Sequence, residues 1–244
     1  MAVRVAALYD IHGNLPALEA VLGELEADLV VVGGDVAPGP MVAGCLARLE
    51  ALEVPVRWVM GNGDREVAEG GGGNAPDEMA GWTADRIDDR QRRLLASFEP
   101  TVELDVDGLG RVLFCHGSPR SDTEVITQIT PPERLRPMLT DVGAELVVCG
   151  HTHHQFDLAL EGTRVVNAGS VGLPYQGDAA AFWLTLGPQV EFRRTGYDVA
   201  VAIAAFEGVP GLEDSVQASF VEPISAQAIA EHFEPPATSA PDER

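Results

Sequence analysis

The chain contains no lysine; all sixteen of its basic residues are arginine. A Schiff-base lysine and a Walker-type phosphate loop both depend on that residue, so neither chemistry is open to this protein. Cysteine is scarce as well. Cys45, Cys115 and Cys149 form no paired metal-ligand spacing and no disulfide framework, and each sits in an apolar setting, which marks them as reduced packing residues. No apolar stretch approaches the roughly 18–20 residues that a membrane span requires. The first residues run straight into an apolar strand pattern without a signal-peptide core or cleavage site, so a cytoplasmic location is expected. Positive charge is the largest deficit, since 38 acidic residues against 16 basic ones give a formal net charge of −22. That excess disfavours long nucleic acids, whose affinity comes largely from neutralised phosphates. A small phosphorylated substrate stays open, because a bound metal outweighs the global charge locally.

What is present is enough for one large α/β domain: 244 residues, 45% of them hydrophobic. Apolar runs that stop at polar or glycine-rich punctuation read as buried strands. They are residues 3–9, ending at Asp10; 29–32, ending at Gly33-Gly34-Asp35; and 56–60, ending at Gly61-Asn62. Two more are residues 112–115, ending at His116, and 146–149, ending at Gly150-His151. Between the early runs, Leu15, Leu18, Leu22 and Leu25 recur at helical spacing with Asn14 as N-cap, and residues 41–52 form a second amphipathic stretch. This alternation implies a largely parallel sheet with helices on its faces. The glycine run at residues 70–73 reads as a mobile loop, followed by a helical pattern over 76–97. Short strands are expected over 156–160, 163–166, 181–186 and 190–193, and a helix over 197–206. Residues 1–221 read as one domain, and the Pro-, Ala- and acid-rich tail of residues 222–244 is expected to be partly disordered.

In an open α/β sheet, ligands bind beyond the carboxyl ends of the strands. Those ends carry Asp10 with His12, Asp35, Asn62, His116, and His151 with His153. Five of the six histidines follow only three strands, so the side chains converge if those strands are neighbours. Singly, each piece is weak. Asp-x-His, Gly-Gly-Asp and an asparagine between glycines are ordinary turn chemistry, and His116 alone fits a histidine at a core edge. Gly150-His151-Thr152-His153-His154 suits metal ligation better.

The ordered set resembles the calcineurin-like metallophosphoesterase superfamily, whose five blocks run Asp-x-His, Gly-Asp, Gly-Asn-His, a lone His, and Gly-His-x-His. The segment Asp10-Ile11-His12-Gly13-Asn14-Leu15-Pro16-Ala17-Leu18 is similar to its small bacterial phosphoesterase branch. Asn167-Ala168-Gly169-Ser170-Val171-Gly172 is similar to the Asn-Pro-Gly-Ser turn that often follows the last block. The resemblance implies an αββα sandwich of two mixed β-sheets flanked by helices. It implies two divalent transition-metal ions, Mn, Fe or Zn. Asp10, His12, Asp35 and His153 would hold one; Asp35, Asn62, His116 and His151 would hold the other, with Asp35 bridging. Bridging carboxylate oxygens, neutral imidazoles and an amide oxygen suit such ions. The implied activity is hydrolysis of phosphodiesters or phosphomonoesters of small molecules by a metal-bound hydroxide, with Asp35, Asn62 and His116 as catalytic residues.

Two departures from the family pattern bear on activity. Gly63 stands where many relatives carry a histidine that acts on the leaving group or the phosphoryl oxygens; Asp64, Arg65 and His154 are the candidates to take its place. A histidine put back at position 63 is expected to favour alkyl esters, provided the backbone accepts it. Asp35 is followed by Val36-Ala37-Pro38-Gly39-Pro40 rather than the Asp-Arg-Gly turn of protein phosphatases and diadenosine-polyphosphate hydrolases, which disfavours both activities. Arg120, in His116-Gly117-Ser118-Pro119-Arg120, either pairs with a substrate phosphate or is a surface arginine of the loop. The alternative to an enzyme is an interaction or nucleotide-sensing protein of the same fold, as the scaffolding small subunit of the retromer coat illustrates.

Overall fold

The computed structural model describes residues 3–70 and 78–234. The chain begins β1 (Val5–Leu8), α1 (Leu15–Gly23), β2 (Leu29–Val32), α2 (Val42–Glu50) and β3 (Val56–Trp58). Three helices follow: α3 (Asn62–Ala68), α4 (Glu78–Ala84) and α5 (Asp89–Ala96). Then come β4 (Thr101–Val106), β5 (Gly110–Cys115), α6 (Pro132–Met138), β6 (Leu146–Cys149), β7 (Gln155–Leu160) and β8 (Thr163–Ala168). The chain continues with β9 (Ala181–Leu186), β10 (Val190–Thr195), α7 (Val199–Phe206) and α8 (Glu213–Val216), which runs into a π-helical turn (Gln217–Val221), and then α9 (Ala226–Phe233).

The strands form two five-stranded mixed sheets, in the orders β10-β9-β1-β2-β3 and β4-β5-β6-β8-β7. Each has three parallel strands, β1-β2-β3 and β5-β6-β8, with antiparallel partners completing it. The single largely parallel sheet read from the early alternation is thus two, because the apolar strands after residue 100 pair with one another. Strand alternation builds the layers. Val5, Ala7, Tyr9 and Val31 meet Val112, Phe114, Leu146 and Val148 between the sheets. Ala6, Leu8, Val30 and Val32 face Leu18, Leu46 and Leu95 on the other side of the first sheet. Cys115, Val147 and Cys149 pack with Leu135 and Met138 of α6 outside the second. The result is the αββα sandwich. Cys45, Cys115 and Cys149 are all free and buried.

Local chemistry sets the boundaries. Asn14 caps α1 by accepting from the Ala17 N–H at 3.1 Å, and Pro16 sits in the first turn, where its missing donor is harmless. The expected helix over 76–97 is two helices. Asp88 starts the second by accepting the Gln91 N–H at 2.7 Å, while Gln91 Oε1 accepts the Asp88 N–H at 3.1 Å. β4 lies outside the expected strands, although Val102 and Val106 are buried between exposed Glu103 and Asp105, the alternation of an edge strand. Of the glycine run, only Gly70 is among the described residues, and residues 71–77 lie outside them. Within the tail, Ile229 and Ala230 of α9 are buried, and Glu234 takes hydrogen bonds from Thr130 and Arg134. Residues 235–244 lie outside the described residues. No helix among the described residues is long and apolar enough to cross a membrane.

Candidate metal centre

The seven candidate ligands sit where the parallel strands of both sheets end. Asp10 and His12 follow β1, Asp35 follows β2, and Asn62 opens α3 just after β3. His116 follows β5, and His151 and His153 follow β6. The edge predicted for one sheet is therefore shared by two, which face each other across the sandwich.

Two groups result. Asp10, His12 and His153 offer ligand atoms within 4.8 Å of one another, and so do Asp35, His116 and His151. Asp35 Oδ2 reaches toward both: it lies 3.8 Å from His12 Nε2 and 3.4 Å from His116 Nε2. Asp10 Oδ1 lies 3.3 Å from His153 Nε2 and 3.9 Å from His116 Nε2. His12 and His153 turn their Nε2 atoms toward each other at 3.2 Å.

Backbone carbonyls orient the imidazoles. Nδ1 lies 3.2 Å from the Pro38 oxygen in His12, 3.0 Å from the Gly33 oxygen in His116 and 2.7 Å from the Leu173 oxygen in His153. In the neutral ring this places the proton on Nδ1 and presents the Nε2 lone pair to the centre. Asp35 Oδ1 accepts the Gly63 N–H at 2.8 Å, and Asp10 Oδ2 accepts the His151 N–H at 3.0 Å. Three buried polar atoms, Asp10 Oδ1, Asn62 Oδ1 and His116 Nε2, have no hydrogen-bond partner. Leaving each so costs roughly 1–3 kcal/mol unless a ligand takes it up. Converging carboxylates, inward-facing Nε2 atoms and an unpartnered amide oxygen fit divalent transition-metal ions.

The electrostatics fit the same occupant. Burial disfavours the charged form of His116, but the Asp35 carboxylate overrides it and holds the ring's pKa at about 10 among the protein groups alone. Burial, followed by the His116 charge, pushes His151 down to about 4. Burial likewise disfavours the Asp35 charge, yet the neighbouring imidazoles hold its carboxyl well below the usual range. Among the protein groups alone, and against burial, the carboxylates hold protons on His116 and His153, and a divalent ion would displace them on binding.

Backbone strain concentrates at the centre. Asp10, His12, Asp35, His151 and His153 all have φ between 46° and 67°, and they are five of the seven non-glycine residues with positive φ among those described. Each costs roughly 1–3 kcal/mol and persists only where surrounding contacts fix it. Those contacts come from residues that the motifs did not single out as ligands. Asn167 Nδ2 donates to the Gly150 carbonyl at 2.7 Å and to Thr152 Oγ1 at 3.0 Å. Ser170 Oγ donates to the Asp10 carbonyl at 2.8 Å, and the Gly172 N–H reaches the same oxygen at 2.9 Å. The Asn-Ala-Gly-Ser segment was the signal for this turn; its partners were not legible.

Of the three residues named as substitutes for the absent histidine, Asp64 and Arg65 are otherwise engaged, and His154 is buried with Nδ1 bonded and Nε2 unpartnered. Asp64 is buried with its carboxylate on three backbone N–H groups, of Asp35 at 2.7 Å, Ala37 at 2.9 Å and Gly61 at 3.2 Å. Arg65 Nε donates to Asp122 Oδ2 at 2.7 Å. His154 is buried, its Nδ1 is 2.9 Å from the Thr152 carbonyl, and its ring lies against Phe156. At position 63 the obstacle is space rather than φ. Gly63 lies in α3, and a Cβ there would be 2.5 Å from both the Ala37 oxygen and Pro38 Cδ. Arg120 uses its guanidinium on Glu124, from Nε at 3.0 Å and from Nη2, and donates from Nη1 to the Pro137 carbonyl at 3.1 Å.

Two facing mixed sheets with carboxylates and imidazoles at their shared strand ends define a metallophosphoesterase. Residues 3–186 match the calcineurin-like phosphoesterase superfamily domain, and the chain belongs to that superfamily. Its structure is similar to a metallophosphoesterase from Sphaerobacter thermophilus, at 24% identity and a TM-score of 0.72, covering 90% of this chain and 100% of that one. It is also similar to a hypothetical protein from Pyrococcus horikoshii OT3, at 21% identity and a TM-score of 0.75, covering 89% and 98%. At these identities the likeness concerns the fold. No curated protein matches the chain.

Proposed function

We propose that the protein is a dinuclear-metal phosphoesterase that hydrolyses phosphodiesters or phosphomonoesters of small molecules. The observation that carries this reading is a pair of adjacent carboxylate–imidazole groups, with Asp35 of one group placing Oδ2 3.8 Å from His12 Nε2 of the other. Asp10, His12, Asp35 and His153 would hold one ion, and Asp35, Asn62, His116 and His151 the other, with Mn, Fe and Zn as the suitable metals. When bound, such a pair supplies an acidified water and neutralises charge on the phosphoryl oxygens.

The chain's own residues orient the site. Gly33, Pro38 and Leu173 carbonyls fix three imidazoles, and the Gly63 N–H fixes one oxygen of Asp35. Tyr175 stacks on His153 with ring centroids 5.0 Å apart. No protein acid stands at position 63, so the leaving oxygen departs with more of its negative charge, which favours good leaving groups. With no arginine after Asp35, small phosphodiesters suit the site better than phosphoproteins.

Elemental analysis and steady-state turnover of bis-p-nitrophenyl phosphate with added manganese test the reading together. About two transition-metal ions per chain and sustained, metal-dependent release of nitrophenol are expected. Stoichiometry near zero after reconstitution overturns it. Two bound ions without turnover would instead favour a metal-dependent nucleotide sensor, a reading that the blocked space at Gly63 keeps open.

A further inference from the structure

A cavity of about 450 Å³ opens where two ligand-bearing segments leave the centre. Met60, on one wall, runs directly into Gly61-Asn62, and Arg65 lies one helical turn beyond Asn62 on α3. The opposite wall, Ser118 to Asp122, starts two residues after His116. None of the seven candidate ligands lines the cavity; chain neighbours tie it to the Asn62–His116 half of the centre, Met60 two residues before Asn62 and Ser118 two after His116.

Its lining has a definite chemistry. Met60, Phe98, Pro100 and Pro119 are its apolar residues. Phe98 stacks on Trp58, with centroids 5.0 Å apart and planes 16° from parallel. Both arginines at the cavity are neutralised: Arg65 by Asp122 at 2.7 Å, Arg120 by Glu124. A second phosphate would meet no uncompensated cation from either. A volume in the usual range for small-molecule pockets, with one wall apolar at Met60, Phe98 and Pro100 and the other carrying paired charges, fits an uncharged flat ring.

We infer that this cavity receives the aromatic group of a phosphate ester bound at the metal centre, so that the substrate class is phosphate esters bearing a flat, uncharged aromatic ring. The inference rests on the proposed metal-centred reading. It also accords with Gly63, because an aryl oxygen leaves without a protein acid more readily than an alkyl oxygen does. A nucleobase and a simple aryl group share the required chemistry.

Phosphonates, which keep the headgroup but are not hydrolysed, separate this inference from turnover. Calorimetric titration of the manganese-loaded protein with methylphosphonate, phenylphosphonate and an adenosine-bearing alkylphosphonate reads binding alone. The better of the two aromatic ligands should bind about tenfold or more tighter than methylphosphonate, and which one wins identifies the source of the ring. Ser121→Trp, which fills the cavity from its wall, should bring that ratio close to one while methylphosphonate affinity holds. Equal affinities for all three ligands in the wild-type protein overturn the inference without touching the metal centre. So does an unchanged ratio in a folded Ser121→Trp protein. Should that variant not fold, the wild-type comparison still decides. If methylphosphonate fails to bind at all in manganese but the aromatic ligands bind equally with and without metal, the ring site is independent of the centre and the inference fails.

Discussion

The Ala37 carbonyl oxygen lies where a side chain at residue 63 would begin, 2.5 Å from a Cβ built on Gly63. Pro38 Cδ crowds the same point at the same distance, and Asp35 Oδ1 follows at 3.1 Å. The Ala37–Pro38 segment and Gly63 are therefore a matched pair. Gly63→Ala should destabilise the protein by about 1–3 kcal/mol, the usual scale of overpacking, measured by denaturant unfolding. Gly63→His should not speed alkyl esters. In the wild-type enzyme, log kcat should fall steeply with leaving-group pKa at saturating metal. A flat dependence with chemistry rate-limiting would show that another residue supplies the proton.

Asp35 Oδ2 lies 3.4 Å from His116 Nε2 and 3.8 Å from His12 Nε2, while Asp10 Oδ1 is nearest His153 Nε2 at 3.3 Å, with His116 Nε2 at 3.9 Å. Asp35→Asn should weaken both ions together, and Asp10→Asn chiefly one. Metal content and isothermal titration distinguish them. Wild-type occupancy in Asp35→Asn would remove that residue from the bridging position.

Asn167 touches no ligand side chain in the centre but ties down the Gly150 carbonyl and Thr152, on either side of His151. Asn167→Ala should lower metal affinity by about 10- to 100-fold, as loss of an outer-sphere orienting group usually does, with the circular dichroism spectrum unchanged. Ser170→Ala, which frees the Asp10 carbonyl, should act in the same direction.

All three tyrosines, Tyr9, Tyr175 and Tyr197, have pKa values raised by burial, Tyr197 to about 12. Between an unfolded pKa of about 10 and this folded value, the native state holds a proton that the unfolded chain has released. Stability is therefore fully present below about pH 10 and falls as pH rises toward 12. Tyr197 alone contributes a loss on the order of 2 kcal/mol. Denaturant midpoints at pH 9 and 11 should show the fall, and Tyr197→Phe should make it shallower. Equal slopes in the two proteins would mean that Tyr197 ionises as freely folded as unfolded.

The candidate ligand positions were legible because each follows an apolar run that ends abruptly, and a strand's end is a local property of the chain. So were the buried cysteines, the Asn14 cap and the start of the first helix. The partition of Asp10, His12, Asp35 and Asn62 to one sheet and His116, His151 and His153 to the other was not, because strand pairing depends on partners far away in sequence. The left-handed backbone at five candidate ligands is likewise enforced from a distance, as by Ser170 on Asp10 across 160 residues. Position 63 separates the two kinds of information most sharply. The sequence by itself determined that a histidine is absent there. Only the tertiary structure decided that none fits, because the atoms that exclude it belong to Ala37 and Pro38, in a loop that Asp64 holds against α3.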